Sequence, residues 1–349
     1  PVVSGDGYAM AYRAGAELID MEFIDYQIVT AAPQKLAGYP PFSTGLLGGG
    51  GHLLNGEGER FMARYEPDKM EKCSRAVINR YMAIEIAEGR GTKDGNILID
   101  IRHVFDDINE GPGKQIIKTM ARNNIDLREE FLEVGSAPHT FLGGVRIDEW
   151  GRTTLDGLFS GGEAAGGIHG ANRLGGLALI DSYVFGLRSG IAAALAAKTR
   201  EAPDPESGAW QDSIDELAER ADRNGKGPSA KEWRLEAQDL VVKDIGQVRN
   251  EERLTRGLAG LDRLLEEYDT VGHSNETVRK QFEDLRLNYE TRNLIDVARM
   301  LGTAALQRKE TRGGHFRIDH PDRDDENFLG NYVVWQENDE CRVELRPVP

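Results

Sequence analysis

Features that mark several classes of protein are scarce in this sequence. The 349-residue chain has two cysteines, Cys73 and Cys341, too few for a disulfide framework or a CxxC metal site. No apolar run approaches the ~20 residues that a helix needs to cross a bilayer, so we expect no direct membrane span. Its 43 Lys and Arg against 59 Asp and Glu give a formal net charge of −16. This acidic balance argues against a nucleic-acid-binding surface.

The first residues lack further landmarks. Pro1 is not an initiator Met, and residues 1–10 show no charged-then-apolar signal peptide. No GxGxxG turn, the phosphate-binding signature of a dinucleotide-binding βαβ unit, occurs near the start. Internal repeats at solenoid periods are also missing. The length still allows two or three domains rather than one core.

A glycine-dense loop that runs into an apolar helix is the most informative stretch. Residues 162–176 read Gly-Glu-Ala-Ala-Gly-Gly-Ile-His-Gly-Ala-Asn-Arg-Leu-Gly-Gly. Glycines let backbone N–H groups approach a bound group closely, and the following helix would direct its positive end at that group. His169 and Arg173 add two potential cations. The alternative is a glycine-rich connection with incidental charges, and composition alone leaves both open.

Periodicity predicts the main elements. A Pro-rich break at 201–208 is the clearest boundary, and helical periodicity dominates beyond it. Ser229 with Glu232 fits a capping box. A leucine stripe over 254–265 is typical of a bundle core. Further predicted elements are helices over 8–17, 75–88 and 178–198, strands over 21–28, 96–102 and 158–160, and pairing strands at 332–335 and 342–345.

An ordered series of motifs resembles the succinate dehydrogenase / fumarate reductase / L-aspartate oxidase flavoprotein family. Together with the glycine loop, the series covers essentially the whole chain, so it is far more specific than a lone GxG. Its members are Gly5-Asp6-Gly7 with residues 11–23, Leu54-Asn55 with 58–65, Ser74-Arg75, 84–91, Pro138-His139-Thr-Phe-Leu-Gly-Gly, and Thr311-Arg312-Gly-Gly-His-Phe-Arg with 322–327.

The resemblance implies a fold of α/β plus α+β class. We expect a partial FAD-binding Rossmann-like domain interrupted by a capping domain, followed by a C-terminal helical bundle and a short mixed tail. The expected domains are the FAD-binding parts 1–28 and 138–199, the cap 29–137, the helical domain 205–310 and the tail 311–349. Because the family carries its GxGxxG turn upstream, we interpret the chain as a fragment truncated at its N-terminus.

The resemblance also implies a substrate site. Arg75 occupies the position of the family's catalytic, proton-transferring arginine, His139 that of a substrate-binding His, and Arg173 that of the carboxylate clamp. The planar fork of arginine suits a carboxylate. From the sequence alone, an exposed helix arginine would be the simpler interpretation of Arg75; the matching segment around it favours the functional one. We expect the three side chains to converge in one cleft between the cap and the FAD-binding domain.

Two departures from the family alter this site. Gln27 replaces a substrate-binding His, so it can donate or accept a hydrogen bond but carries no charge. The family's Thr-Glu-Gly-Cys-Arg-Gly segment appears as Ser43-Thr44-Gly-Leu-Leu-Gly. A substrate-binding hydroxyl is expected from Ser43 or Thr44, whereas the Glu and Arg of the proton relay are absent. His52 could substitute for them or be incidental. Strict specificity for succinate or fumarate is therefore not implied.

The cofactor implied by the resemblance is FAD. Glu163 matches the acid that holds the ribityl hydroxyls, and Ala178 and Leu179 match backbone positions that face the flavin ring. Asp6 matches a further flavin contact, with a plain N-cap of the helix from Tyr8 as the alternative. No metal site is expected.

The function implied is that of an FAD-dependent oxidoreductase acting on the CH–CH group of a small carboxylate. The implied partners are membrane anchor subunits and an iron–sulfur subunit, with a cytoplasmic location that is peripheral to the membrane through those partners. Two alternatives stay open: a related carboxylate oxidoreductase such as L-aspartate oxidase, and a non-catalytic flavoprotein-like subunit for electron transfer or scaffolding. The retained Arg75, His139 and Arg173 favour an enzyme. The absence of the Glu and Arg of the proton relay favours a changed substrate or a scaffold.

Overall fold

The computed structural model forms two compact units, residues 24–140 and residues 1–23 with 141–349. It describes residues 4–40, 43–111, 113–201, 204, 208, 210–221, 227–273 and 277–348, and at residues 43 and 44 the backbone alone. Sheets and helices both occur, as the predicted fold class requires.

Helices supply most of the regular structure in the described residues. They are α1 (Asp6–Arg13), α2 (Ser43–Gly48), α3 (Met62–Tyr65), α4 (Arg75–Ala87), α5 (Phe105–Glu110), α6 (Lys114–Arg122), α7 (Leu177–Ala197), α8 (Gln211–Ala221), α9 (Ala230–Leu240), α10 (Glu251–Glu267), α11 (Val278–Gln307) and α12 (Asp325–Phe328). The strands are β1 (Leu18–Ile19), β2 (Ile24–Thr30), β3 (His52–Leu54), β4 (Ile97–Asp100), β5 (Leu132–Phe141), β6 (Gly144–Arg146), β7 (Ala165–Gly166), β8 (Asn331–Glu337) and β9 (Glu340–Arg346).

The unit of residues 24–140 is built on a four-stranded sheet in the order β2-β5-β4-β3. Strand β4 pairs antiparallel with both β3 and β5, with His52 opposite Asp100 and Ile97 opposite Val134. Ile97 and Ile99 are buried and Leu98 and Asp100 are less so, as expected for a strand with one face on a core. That core also receives α4, through Ile78 and other apolar residues of the helix.

The second unit contains a five-stranded sheet in the order β7-β6-β1-β8-β9. Strand β1 lies at its centre, antiparallel to β6 and β8. Strands β8 and β9 form the hairpin predicted for the tail. Tyr12 of α1 and Val297 and Met300 of α11 are buried in the same core as Leu18 of β1. The thirty-residue helix α11 thus joins the sheet to the C-terminal helices.

The C-terminal helices pack as the leucine stripe predicts. Leu254, Leu261 and Leu264 of α10 are fully buried. Trp233 of α9 is also fully buried, and its indole Nε1 donates to the Leu264 carbonyl at 3.1 Å. The capping box is confirmed, because the Ser229 side chain accepts from the Glu232 N–H and the Glu232 carboxylate accepts from the Ser229 N–H. The helices predicted at 75–88 and 178–198 correspond to α4 and α7.

One predicted strand is shifted along the chain, and another is wrong. The strand predicted over 21–28 corresponds to β2 (Ile24–Thr30), and residues 21–23 lie instead in the turn between β1 and β2. Asp20 in that turn has a φ of 58°, and its carboxylate accepts from Asn331 Nδ2 at 2.6 Å. This contact joins residues 311 apart in the sequence, and no local glycine or proline signals the turn. The strand predicted at 158–160 is reduced to one isolated bridge, Arg152 with Phe159.

Helix α7 is long and apolar enough to cross a membrane by length and composition alone, although no unbroken apolar run of that length occurs in the sequence. Its most apolar 18-residue window has a mean hydropathy of 1.3, and 11% of that window is buried. Asp181 and Arg188 interrupt its apolar sequence, so a search for an unbroken run misses it. A single helix that meets only the criteria of length and composition is weak evidence for a membrane span.

Candidate functional site

Arg75 is held at the start of α4 by two side chains of β2. Its Nε donates to Asp25 Oδ1 at 3.1 Å and its Nη2 donates to Asp25 Oδ2, so the guanidinium and carboxylate form a two-bonded fork. Arg75 Nη1 donates to Gln27 Oε1 at 2.6 Å. The structure therefore brings together two residues predicted for the site, Arg75 and Gln27, and adds a third.

The local fold explains why these side chains meet. Asp25 and Gln27 are two positions apart on β2, so their side chains leave the same face of the strand. Asn79, one turn after Arg75 on α4, is fully buried and donates to the Tyr26 carbonyl at 3.2 Å. Asn79 also accepts from the Ser136 hydroxyl of β5 at 2.8 Å. Hydrogen bonds to two strands thus fix the first turn of α4 against the sheet.

The pair of Arg75 and Asp25 is unevenly exposed. The Asp25 side chain is 6% exposed, whereas that of Arg75 is 29% exposed. The carboxylate is therefore covered while part of the guanidinium faces outward. Sequence analysis missed Asp25, although the two-residue period of a strand places it on the same face as Gln27.

The other residues predicted for the site in this unit lie on other elements than Arg75 and Gln27. His139 lies on β5, the strand next to β2, and is exposed. Residues 43 and 44 begin α2, and the predicted role of the Ser43 and Thr44 side chains lies outside the described part. His52 lies against the ring of His103, with ring centroids 4.0 Å apart. Partial burial and the nearby Arg60 and His103 lower the pKa of His52.

In the other unit, the glycine loop leaves its backbone open. A Cβ added at Gly167, Gly170, Gly175 or Gly176 would meet no atom within 4 Å. Gly176, with a φ of 85°, is the N-cap of α7 and makes no side-chain capping bond. Backbone N–H groups in the first turn of α7 have no partner within the helix. A group could therefore approach this backbone closely.

Glu163 and Tyr8 connect the loop to the neighbouring elements. Glu163 is exposed, and its Oε1 accepts from the Phe141 N–H at 3.2 Å. The Glu163 carbonyl accepts from the Tyr8 hydroxyl at 2.6 Å. Burial, reinforced by the nearby Glu163 charge, raises the pKa of Tyr8.

Asp6 is not the N-cap that one interpretation expected. Gly5 takes that position with a φ of 80°, and Asp6 is the first residue of α1. Its exposed carboxylate accepts from the Ser4 hydroxyl at 3.0 Å and from Asn293 Nδ2 at 2.6 Å. The helix was predicted over 8–17. Helix α1 instead begins at Asp6 and ends at Arg13, because the chain turns at Gly15 with a φ of 90°.

His169 points to an acid that sequence analysis missed. Its Nε2 lies 3.3 Å from Asp181 Oδ2 of α7, and both side chains are buried. Burial raises the pKa of Asp181, and the interaction with His169 opposes that shift. Arg173, four residues after His169, is half-buried in the loop before α7. Its predicted convergence with Arg75 and His139 stays a prediction.

The late Thr-Arg-Gly-Gly-His motif packs on the glycine loop. The Gly314 N–H donates to the Ala171 carbonyl at 2.9 Å. At Gly313, with a φ of 52°, an added Cβ would lie 1.9 Å from the Ala171 oxygen. His315 is fully buried with its Nδ1 2.8 Å from Arg249 Nη1, and burial and Arg249 lower the pKa of His315. The motif therefore fixes the loop two residues before Arg173.

These features fit the ring side of a flavin. The open glycine backbone permits close approach, and the N-terminus of a 21-residue helix favours an electron-rich group. Glu163 offers an exposed carboxylate for hydroxyl groups. Ala178 and Leu179 lie in the first turn of α7, where backbone N–H groups have no partner within the helix, and Leu179 is 71% exposed.

One surface cluster has the ligand spacing of a cation site. Side-chain ligand atoms of Glu251, Asp319 and His320 lie within 4.8 Å of one another. Arg317 donates to both oxygens of Asp319 at 2.8 Å, and Lys309 lies 3.4 Å from Glu251. Basic side chains thus already compensate both carboxylates, and the expectation of no metal site stays a prediction.

Comparison with known proteins agrees with these features. A family model described as "FAD binding domain" matches residues 1–179, and one described as "Fumarate reductase flavoprotein C-term" matches residues 234–349. The chain is 38% identical to a fumarate reductase (CoM/CoB) subunit of Methanothermobacter marburgensis, over 91% of this chain and 57% of that protein. It is 33% identical to the mitochondrial succinate dehydrogenase [ubiquinone] flavoprotein subunit of Oryza sativa subsp. japonica, over 99% of this chain and 56% of that protein.

Solved structures give the same assignment. E. coli quinol fumarate reductase superposes with a TM-score of 0.86 at 28% identity, over 99% of this chain and 62% of that chain. A quinol-fumarate reductase solved with menaquinol molecules superposes with a TM-score of 0.86 at 28% identity, over 100% of this chain and 63% of that chain. The chain thus spans less than two thirds of each of these proteins, and the predicted flavoprotein fold is confirmed. The chain belongs to the succinate dehydrogenase and fumarate reductase flavoprotein family, whose cofactor is FAD.

Proposed function

We propose that this chain is part of an FAD-dependent oxidoreductase of the succinate dehydrogenase / fumarate reductase type, acting on the CH–CH group of a small carboxylate. The observation that carries the proposal is the fixed guanidinium of Arg75, held by Asp25 and Gln27 with part of its surface exposed. The names of the relatives support this function over that of an L-aspartate oxidase or a scaffold.

The glycine loop is the proposed contact for the flavin ring. FAD, when bound, supplies hydride exchange with a carbon–carbon bond. Glu163 would accept hydrogen bonds from the ribityl hydroxyls, and Asp6 would make a further contact. The backbone N–H groups of Ala178 and Leu179 would face the ring, where the helix dipole favours the electron-rich reduced form.

Arg75 is the proposed proton-transferring residue. A guanidinium has five N–H donors, and three of those of Arg75 are used by Asp25 and Gln27. The two that remain, one on each terminal nitrogen, are available to a substrate. A guanidinium in water holds its protons firmly, so a dry site and a second proton-carrying group are needed for this role.

Arg173 and His139 are proposed to grip the substrate carboxylates. Arg173 supplies a permanently charged planar fork, and His139 shares the load. Gln27 offers a neutral hydrogen bond, and Ser43 or Thr44 offers a hydroxyl. With fewer cations than the family pattern, the site would bind a dicarboxylate less tightly than its relatives or prefer a different carboxylate.

The proposed partners follow from the names of the relatives, which are single components of larger enzymes. The electron partner that we propose is an iron–sulfur subunit, which would in turn contact membrane anchor subunits. The protein would then be cytoplasmic and peripheral to the membrane.

Paired substitutions test this function in the full-length, FAD-loaded protein. Arg173→Ala should weaken the affinity for fumarate or succinate by about 2–5 kcal/mol, since it removes one partner of a charge-assisted carboxylate contact. Arg75→Lys keeps the charge but loses the fork, and should lower kcat with little change in KM. Steady-state kinetics with an artificial electron donor measure both.

Arg342→Ala is the matched control, because Arg342 forms exposed ion pairs on β9. It should leave kcat and KM unchanged. If Arg173→Ala and Arg75→Lys behave like this control across a panel of carboxylates that includes L-aspartate, the enzyme function is wrong and a scaffold role remains.

A further inference from the structure

We propose that Asp25 is the positioning residue of Arg75, and that its carboxyl group exchanges a proton with the guanidinium during turnover. This inference rests on the proposed function, in which Arg75 transfers a proton to substrate. It assigns to β2 a proton-carrying group that stands directly behind Arg75.

The first argument is geometric. Both oxygens of Asp25 accept from Arg75, at Nε and at Nη2, so the plane of the guanidinium is fixed by the carboxylate. Gln27 accepts from Nη1 at 2.6 Å and prevents rotation about the fork. Together with Gln27, Asp25 therefore determines which two N–H bonds of Arg75 are left for a substrate.

The second argument is chemical. A group that replaces a proton on Arg75 must contact it and must itself carry a proton. The amide of Gln27 contacts Arg75 but does not titrate. Asp25 meets both requirements, and its side chain, at 6% exposure, is covered but not sealed from water. A carboxyl group is the usual side chain for such transfers in a covered site.

The third argument concerns the rest of the site. The segment that begins at Ser43 lacks the acid and base expected of a proton relay. His52 lies against His103, and its pKa is lowered, so its charged form is disfavoured. Asp25 is the carboxylate that pairs with Arg75 among the side chains that the structure describes.

The step balances in protons and electrons. In the reductive direction, bound reduced FAD would supply a hydride, whose two electrons turn the substrate C=C bond into a single bond. An N–H bond of Arg75 breaks as a C–H bond forms at the neighbouring carbon. The Asp25 carboxylate then takes a proton from water, and the O–H bond so formed breaks as the N–H bond of Arg75 reforms, which returns Asp25 to the carboxylate seen in the structure. The oxidative direction reverses each transfer.

The test compares Asp25→Asn and Asp25→Glu in the full-length, FAD-loaded protein. Asn can still accept a hydrogen bond from Arg75 but cannot exchange a proton, so kcat should fall about 100-fold or more. KM, and the dissociation constant of the unreactive dicarboxylate malonate measured by calorimetry, should change less than about 5-fold, because binding groups are intact. Asp25→Glu restores the carboxyl group and should recover most of kcat, and the solvent deuterium isotope effect on kcat should differ between Asn and Glu.

Asp100→Asn is the matched control, since Asp100 forms a two-bonded fork with Arg102 in the same unit. It should leave kcat unchanged. An Asp25→Asn protein with kcat and isotope effect like those of the control overturns the inference, and so does an Asp25→Glu protein no better than Asn at equal thermal stability. Failure of the proposed function is separate: Arg75→Lys would then also match the control.

Discussion

At the scale of single residues, Asp20 is a buried carboxyl group with a strongly raised pKa. It is buried in a left-handed turn between β1 and β2. Burial, with a contribution from the Glu22 charge, raises the pKa of Asp20 to about 7, while Asn331 and Arg308 oppose the shift. Because an unfolded Asp titrates near ~3.9, folding is favoured by this group below that pH. That stabilisation is lost as the pH rises through the folded pKa of about 7.

Replacing Asp20 should therefore change the dependence of stability on pH. We expect the urea midpoint of the wild type to fall between about pH 5 and pH 8, and Asp20→Asn to flatten that decline because Asn stays neutral. The variant should be the more stable protein at the upper pH. Urea denaturation across this range is the measurement.

The control for this measurement is Asp100→Asn. Pairing with Arg102 lowers the pKa of Asp100, so Asp100 stays ionised over the whole range and its loss should not alter the slope. A slope in Asp20→Asn equal to that of the wild type would contradict the assignment of the titration to Asp20.

Residue-scale prediction from sequence was partial. Arg75 and Gln27 were named, and the structure joins them by a hydrogen bond. Asp25 and Asp181 were missed, although each contacts a residue that was named or noted. Carboxylates are common in an acidic chain, so only the pairing in space separates these two from solvated ones.

At the scale of elements, the glycine loop depends on a motif more than 130 residues later. The contact between Gly313 and Ala171 leaves no space for a side chain. Gly313→Ala should therefore move the loop, lower the thermal stability and reduce the FAD content of the full-length protein. The FAD-to-protein absorbance ratio and a melting curve measure the effect.

Gly15→Ala separates crowding from backbone strain. Gly15 also has a positive φ, of 90°, but an added Cβ would meet no atom within 4 Å. Gly15→Ala should destabilise the protein by about 1–2 kcal/mol through backbone strain and leave the FAD content unchanged. Equal FAD content in Gly313→Ala and Gly15→Ala would show that the late motif does not support the loop.

Helices that are encoded by neighbouring residues were predicted well from the sequence. Strand ends that depend on residues far apart in the sequence were predicted less well. The capping box at Ser229 and the periodicity of α4 and α7 are encoded within a few residues. Asp20, in the turn between β1 and β2, is bonded to the distant Asn331, and the segment predicted as a strand at 158–160 forms an isolated bridge with Arg152. Regular hydrophobic patterns do not report such contacts.

At the scale of the whole molecule, membership of the family was predicted from the order of motifs and is confirmed by the comparisons. Composition and charge could exclude classes of protein but could not identify this one. The convergence of Arg173 with Arg75 and His139, the domain boundaries and the substrate stay predictions.

The most direct test of the central claim is flavin reoxidation by a carboxylate. The flavin of the full-length, FAD-loaded protein is first reduced under anaerobic conditions. The protein is then mixed in a stopped-flow instrument with fumarate, with saturated dicarboxylates such as succinate, or with monocarboxylates. The account predicts that an unsaturated dicarboxylate reoxidises the flavin, that Arg173→Ala needs a higher concentration, and that Arg75→Lys reacts more slowly at saturation. Reoxidation that is independent of every carboxylate, and identical in the three proteins, would contradict it.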